Sequence, residues 1–303
     1  MDAKIILFLI IVILSIDYIL NSVLSYLNYK SLSKPLPNEL DNIYDESDYQ
    51  KSQDYNKSIY RFNLLISSIT FLILLLVFKY ELLGKLDNLL RSFSFENEIS
   101  LSLLFFASIF FINEMILIPF QLYRNFIIEE KFGFNKMSFK TFFLDKIKLY
   151  FLVIIVGGLL ISILLISIIY FSNNFWIYFW VIMSLFTVFI NLFYTSLILP
   201  IFNKLKPLED GSLKDKIYNY AKSVNFPLSN IFVIDGSKRS SKANAFFSGL
   251  GKSKKIVLYD TLIKNHSEEE LVSVLAHEVG HYKNNHILSN LILSILFTGF
   301  MLF

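Results

Sequence analysis

The chain has 303 residues, of which 54% are hydrophobic, with a net charge of +3 and no cysteine. A mean hydropathy of +0.54 is high for a soluble protein, and the apolar residues come in long runs. The lack of cysteine excludes disulfides, a cysteine nucleophile and thiolate metal ligands, and the small charge gives no case for nucleic acid as a partner.

Six apolar runs follow in chain order: Ile5 to Leu27, Phe62 to Phe78, Ile99 to Phe120, Leu149 to Phe171, Phe175 to Leu199 and Ile287 to Phe303. Each is about long enough for a helix to cross ~30 Å of hydrocarbon. The first continues past Asp17 without a small-residue cleavage site, so it reads as a span and not as a signal peptide. Basic residues crowd the loops after the first, third and fifth runs; the third-run loop carries Arg124, Lys131, Lys136, Lys140, Lys146 and Lys148. The positive-inside rule puts those loops in the cytosol and the N-terminus outside. The loop with Lys79, Lys85 and Arg91 and the uncharged SNN turn then face outward. Asp17, Asn113, Glu114 and Asn191 sit deep in the runs, with Asn63 near an end. Singly, each reads as a group paired between helices or reaching for an interface; together they are compatible with a bundle that encloses water.

The one sizeable polar segment runs from Ile201 to His286. DGSLKDKIYNYAKSVN has the spacing of an amphipathic helix, with Pro227 after its end. NIFVID, NAFFSG and KIVLYD are rich in β-branched and aromatic residues and read as short strands. SEEELVSVLAHEVGHYKNN reads as a helix, opened by a capping box of Ser267 and Glu270.

That helix carries HEVGH. Residues four apart share a helix face, so His277 and His281 are placed to bind one metal through imidazole nitrogens. Glu278 beside them is placed as a general base toward water that the metal acidifies. The residues between, Val279 and Gly280, are uncharged and compact, which favours a metal site over a solvated helix with two ordinary histidines. A glycine in a helix costs about 1 kcal/mol against alanine, so Gly280 is expected to lie under a close neighbour. On a continuous helix His286 falls about 180° round from His277, at 100° per residue. His266 precedes the helix cap, and both read as boundary histidines. With no other histidine, a carboxylate must complete the site, and none present has an identifying spacing.

HEVGH preceded by SKRSSKANAFFSGLGKSKKIVLYDTLI resembles the type I CAAX prenyl proteases, membrane zinc metallopeptidases of the endoplasmic reticulum and of bacterial inner membranes. PFQLYRNFIIEEKFGFNK, LPIFNKLKPLEDGSLKDKI and LPNELDNIYDESDYQKSQDY extend the likeness over nearly the whole chain, in order. The resemblance implies Zn²⁺ held by His277 and His281, with Glu278 as catalytic base. It implies that Asn244, Ala245 and Phe246 form a strand edge to which substrate backbone adds; the residues alone read as a plain buried strand. It implies a structured loop from Pro119 to Asn135. It also implies a mainly α, multi-span membrane fold: a helical ring around an intramembrane chamber, with a small α+β metallopeptidase domain on the cytosolic side.

The family's pattern adds a seventh span and an E-x-x-x-D helix whose Glu is the third zinc ligand, and this sequence lacks both. The polypeptide as written is therefore expected to be a truncated member that binds zinc weakly and has little activity. The expected division is residues 1–200 as five spans with cytosolic loops, 201–286 as the soluble domain, and 287–303 as the start of a sixth span. Expected partners are the lipid bilayer and a protein or peptide substrate, either a prenylated C-terminus or a membrane protein. The alternatives are a quality-control metalloprotease of membrane proteins and a catalytically incomplete scaffold or chaperone. A transporter fits less well, because the chain shows no inverted repeat.

Overall fold

A computed structural model describes residues 2–40, 43, 45–93, 97–249 and 254–303. Residues 41, 42 and 44 of the first-loop block, and residues 250–253 of the block before the HEVGH helix, lie outside the described residues. The chain is mainly helical and divides into two compact units, Met1–Gly133 and Phe134–Phe303.

In the first unit, polar caps start each long helix by satisfying orphan backbone donors. Asp2 caps α1 (Ala3–Ser31), Asp45 caps α2 (Glu46–Lys79) and Asn97 caps α4 (Glu98–Tyr123). Outward side chains such as Phe8, Ile13 and Leu24 are more than half exposed, as helices that meet hydrocarbon require. Helices α1 and α2 pair through aromatic rings. Tyr18 stacks on Phe71 with centroids 4.4 Å apart, and its hydroxyl shares a 2.8 Å hydrogen bond with Ser68. Lower down, Tyr29 stacks on Tyr60 at 4.5 Å and accepts a hydrogen bond from Arg61. The expected outer loop is instead an amphipathic helix, α3 (Leu82–Arg91), which buries Leu90 and ties Arg91 to Asp87 and Glu98. Its short leucine repeat sits between charges and gives little signal against the spans on either side. Helix α4 contains Pro119 and continues as a π-helical turn over Arg124–Glu129, so the start of the expected loop is helical. Glu129 is buried there and accepts from the Tyr55 hydroxyl at 2.7 Å.

In the second unit, α5 (Phe139–Leu152) runs through a π-helical turn into α6 (Gly158–Phe171). The SNN turn, with Ser172 at φ 45°, reverses the chain into α7 (Phe175–Phe193). Phe171 and Tyr178 stack across that reversal at 3.7 Å. A further π-helical turn leads to the short α8 (Leu199–Phe202).

A four-stranded sheet follows, with β1 (Leu205–Pro207), β2 (Leu228–Ile234), β3 (Ala245–Ser248) and β4 (Lys254–Tyr259) in the order β1-β2-β4-β3. Strands β2 and β4 are parallel and central, and both outer pairs are antiparallel. The central position explains why Ile256, Val257 and Leu258 are buried in succession: a strand covered on both faces needs apolar residues at every position. The helices α9 (Ser212–Ser223), α10 (Asp260–Asn265), α11 (Glu268–Lys283) and α12 (His286–Leu302) complete the unit. The two expected helices, α9 and α11, and the three expected strands are all present; β1 and α10 are additional.

Among the described residues, four helical stretches could cross a membrane by length and composition: Lys4–Ser31, Glu46–Lys79, Glu98–Glu129 and Phe139–Phe202, the last holding the fourth and fifth apolar runs. Helix α12 carries the sixth and forms a pair with α11, bent by 48°. Helix α12 packs on α7, where Trp180 Nε1 donates to the Ile295 carbonyl at 2.7 Å. A Cβ on Gly299 would lie 2.9 Å from the Trp180 ring. Without water to drive helices together in lipid, such close approach supplies the contact. Gly299→Leu should therefore displace Trp180 and cost about 1–3 kcal/mol, read as a lower melting temperature in detergent with a shift in tryptophan emission. Unchanged melting would mean that the two helices are not held at this point.

Polar groups in the spans find partners close by. Asn21 donates to Asp17 at 3.0 Å, and Asn191 donates to the Thr187 carbonyl at 2.9 Å, both within one helix.

Candidate active site

Helix α11 begins with the expected capping box: the Ser267 amide donates to Glu270 Oε2 at 2.8 Å, and the Glu270 amide donates to Ser267 Oγ at 3.3 Å. Leu271, Leu275 and Val279, four apart, form a buried stripe against Ile256, Leu258 and Ala245 of the sheet and Ile217 and Ala221 of α9. Tyr282 extends the stripe and meets the rings of Phe226 and Phe247 edge-on. With that face fixed, helical geometry turns the residues two positions on to the open side, and His277 and His281 are both exposed.

The two imidazoles face each other with Nε2 atoms 3.1 Å apart. Two nitrogens each ~2.05 Å from a tetrahedral zinc ion would be about 3.3 Å apart. The separation of the pair is thus close to that of two imidazoles on one zinc ion. Glu278 lies between them in sequence and is half-buried. Among the described residues, no group of three or more His, Asp or Glu side chains gathers to hold a metal.

Two readings of the histidines need correction. Among the described residues nothing lies within 4 Å of a Cβ added to Gly280, so the expected close neighbour is not found among them. Nor is the helix continuous to His286. It ends at Asn284, Asn285 takes a left-handed conformation (φ 54°), and the chain restarts as α12. The Asn-Asn pair was the available signal, because asparagine tolerates that conformation at helix ends. As a result His286 returns to within 2.8 Å of His281. His266 stays apart, with Nδ1 3.1 Å from the Leu262 carbonyl.

The strand residues lie as follows. Asn244 precedes β3; its Oδ1 accepts from the Ala245 amide at 2.9 Å, and its carbonyl accepts from the Tyr259 amide at 3.1 Å. Ala245 is buried beneath the helices, while Phe246 turns to the other face with Leu199, Ile234 and Val257. Only backbone is therefore left to act at the outer side of β3, which is an edge of the sheet. A cavity of about 230 Å³ opens beside it, lined by Phe246, Ser248 and Gly249 together with Asn191, Tyr194 and Ile287.

A clamp that gave no sequence signal fixes the segment leading into β3. Arg239 donates to both carboxylate oxygens of Asp145, at 2.7 and 2.9 Å, and to the Phe202 carbonyl at 2.7 Å. The Ser241 amide donates to the Phe134 carbonyl at 3.0 Å, and the Lys136 amide to the Arg239 carbonyl at 3.1 Å. At the start of β4, Lys254 sits 4.3 Å above the Tyr282 ring, and burial pushes its ammonium below the ordinary lysine range.

A family model described as CAAX prenyl protease N-terminal, five membrane helices, matches residues 25–204, and one described as peptidase family M48 matches residues 207–303. The chain belongs to the M48 CAAX prenyl protease family. Its relatives include a probable CAAX prenyl protease 1 of Schizosaccharomyces pombe, 39% identical over 275 residues that cover 86% of this chain and 57% of that protein. CAAX prenyl protease 1 of Saccharomyces cerevisiae is 36% identical over 293 residues, covering 93% of this chain and 64% of its own. The crystal structure of S. mikatae Ste24p matches this family member with a TM-score of 0.88 at 36% identity, over 96% of this chain and 70% of that one. The expected fold class is thus borne out in its mainly helical, membrane-spanning part and its small sheet domain. The chain is an integral membrane protein, and it spans 57% and 64% of the length of the two yeast relatives.

Proposed function

We propose that this chain forms the membrane and catalytic core of a zinc-dependent endopeptidase that cleaves near the C-terminus of prenylated or other membrane-associated proteins. The observation that carries the reading is the 3.1 Å approach of the His277 and His281 Nε2 atoms on a helix whose opposite face is locked to the sheet. Zinc, when bound, would acidify water and polarise a peptide carbonyl. Glu278 takes the proton from the attacking water and delivers it to the leaving amine. The outer edge of β3, Ala245–Ser248 with Asn244 before it, receives substrate backbone as an added strand, and the cavity beside Phe246 takes a substrate side chain. In this reading residues 1–200 give five spans with cytosolic loops that help enclose the membrane chamber, 201–286 the cytosolic domain and 287–303 the start of a sixth span, in the endoplasmic reticulum or a bacterial inner membrane. Two imidazoles alone would hold zinc weakly, so a further carboxylate ligand is part of the proposal.

The test is to give the protein, purified in detergent from its complete reading frame, a farnesylated CaaX peptide. Release of the terminal tripeptide is expected, lost on chelation and restored by zinc. Binding without cleavage would favour the scaffold reading. Equal cleavage of unprenylated, unfolded membrane proteins would favour quality control.

A further inference from the structure

The break at Asn284–Asn285 places His286 Nδ1 2.8 Å from His281 Nδ1, while His281 Nε2 faces His277 Nε2 at 3.1 Å. His281 therefore stands between two histidines and uses a different ring nitrogen toward each. An ion between the two Nε2 atoms lies on the far side of the His281 ring from His286. That arrangement removes His286 as a further ligand and leaves it as the hydrogen-bond partner of a ligand.

The hydrogen bond has two possible senses, and they are not equivalent. If His286 donates, His281 must carry its proton on Nε2, and that nitrogen has no lone pair for a metal. If His281 donates, its proton sits on Nδ1, Nε2 is free, and His286 accepts through Nδ1 with its own proton on Nε2. Only the second sense leaves His281 Nε2 free to share a metal with His277 Nε2. A ligating imidazole needs its other N–H held in this way to fix tautomer and ring orientation. The more usual partners are a carboxylate or a backbone carbonyl; here the only hydrogen-bond partner recorded at His281 Nδ1 among the described residues is His286.

We propose that His286 is a positioning residue for the metal site: it accepts the His281 Nδ1–H and so holds His281 Nε2 toward the ion. The proposal rests on the zinc reading above. The device depends on the helix break, since only the left-handed Asn285 (φ 54°) returns the chain to His281.

The experiment measures zinc affinity of the complete protein in detergent by competition with a chromophoric chelator, beside thermal melting of each metal-free variant. His286→Ala should bind zinc about 10- to 100-fold more weakly. His286→Asn, whose amide oxygen also accepts, should recover most of that loss. His266→Ala serves as the control histidine and should bind like wild type. His277→Ala should abolish stoichiometric binding. Were His277→Ala to leave binding intact, the zinc reading itself would fall. Were it to abolish binding while His286→Ala stayed within twofold of wild type, only the positioning role would be overturned. Equal losses in His286→Ala and His286→Asn that track their melting would make the role merely structural and would also overturn it.

Discussion

Glu278→Gln should cut the turnover of a farnesylated peptide by about 10²- to 10⁴-fold while zinc stays bound and KM changes little. Glutamine keeps the size and hydrogen-bonding shape of the side chain but cannot take a proton. Glu278 adjoins His277 on a helix held by Leu271, Leu275 and Val279, so the substitution leaves the buried stripe untouched. A folded, zinc-loaded variant with unaltered turnover would remove Glu278 from the role of base. A variant that complements all cellular functions despite losing proteolysis would favour a scaffold. His277→Ala gives the contrasting pattern, losing metal and turnover together.

Arg239→Ala should destabilise the second unit by about 2–4 kcal/mol, measured as a fall in melting temperature in detergent and as faster proteolysis across residues 240–244. The Arg239 and Asp145 side chains are each 19% exposed, and the pair is bidentate. Truncation strands a half-buried carboxylate and removes the donor to the Phe202 carbonyl. Lysine at this position should recover only part of the loss, because one ammonium cannot match both carboxylate oxygens and the carbonyl in a plane. A cost below about 0.5 kcal/mol would mean that the pair behaves like an exposed one. The segment it fixes leads into β3, so peptide affinity should fall along with stability.

Much of the site was legible because its signals are local. HEVGH puts His277 and His281 on one helix face through periodicity alone, and Ser267 with Glu270 marks where that helix begins. The strands announced themselves through NIFVID, NAFFSG and KIVLYD. Their edge-or-centre placement did not, since order within a sheet depends on pairing between distant segments. The four residues of β3 could have been central; the order β1-β2-β4-β3 puts them at the rim. Gly280 misled for the same reason. A costly glycine signals some constraint, but no local rule says whether a neighbour is present, and among the described residues none lies within 4 Å. Gly236 is the opposite case: unremarked in DGSKRSS, it would bring an added Cβ 2.3 Å from the Tyr259 ring.

The sequence by itself determined the membrane character, the HEVGH helix and the family, because hydropathy, helix period and ordered motif blocks are all written along the chain. Only the tertiary structure decided that Arg239 meets Asp145 across 94 positions, that β3 is an edge, and that His286 returns to His281. The last of these turns on one residue. A continuous helix sends His286 to the opposite face, and a single left-handed asparagine at 285 brings it back. Backbone conformation at one joint outweighs helical periodicity, which holds only while the helix does.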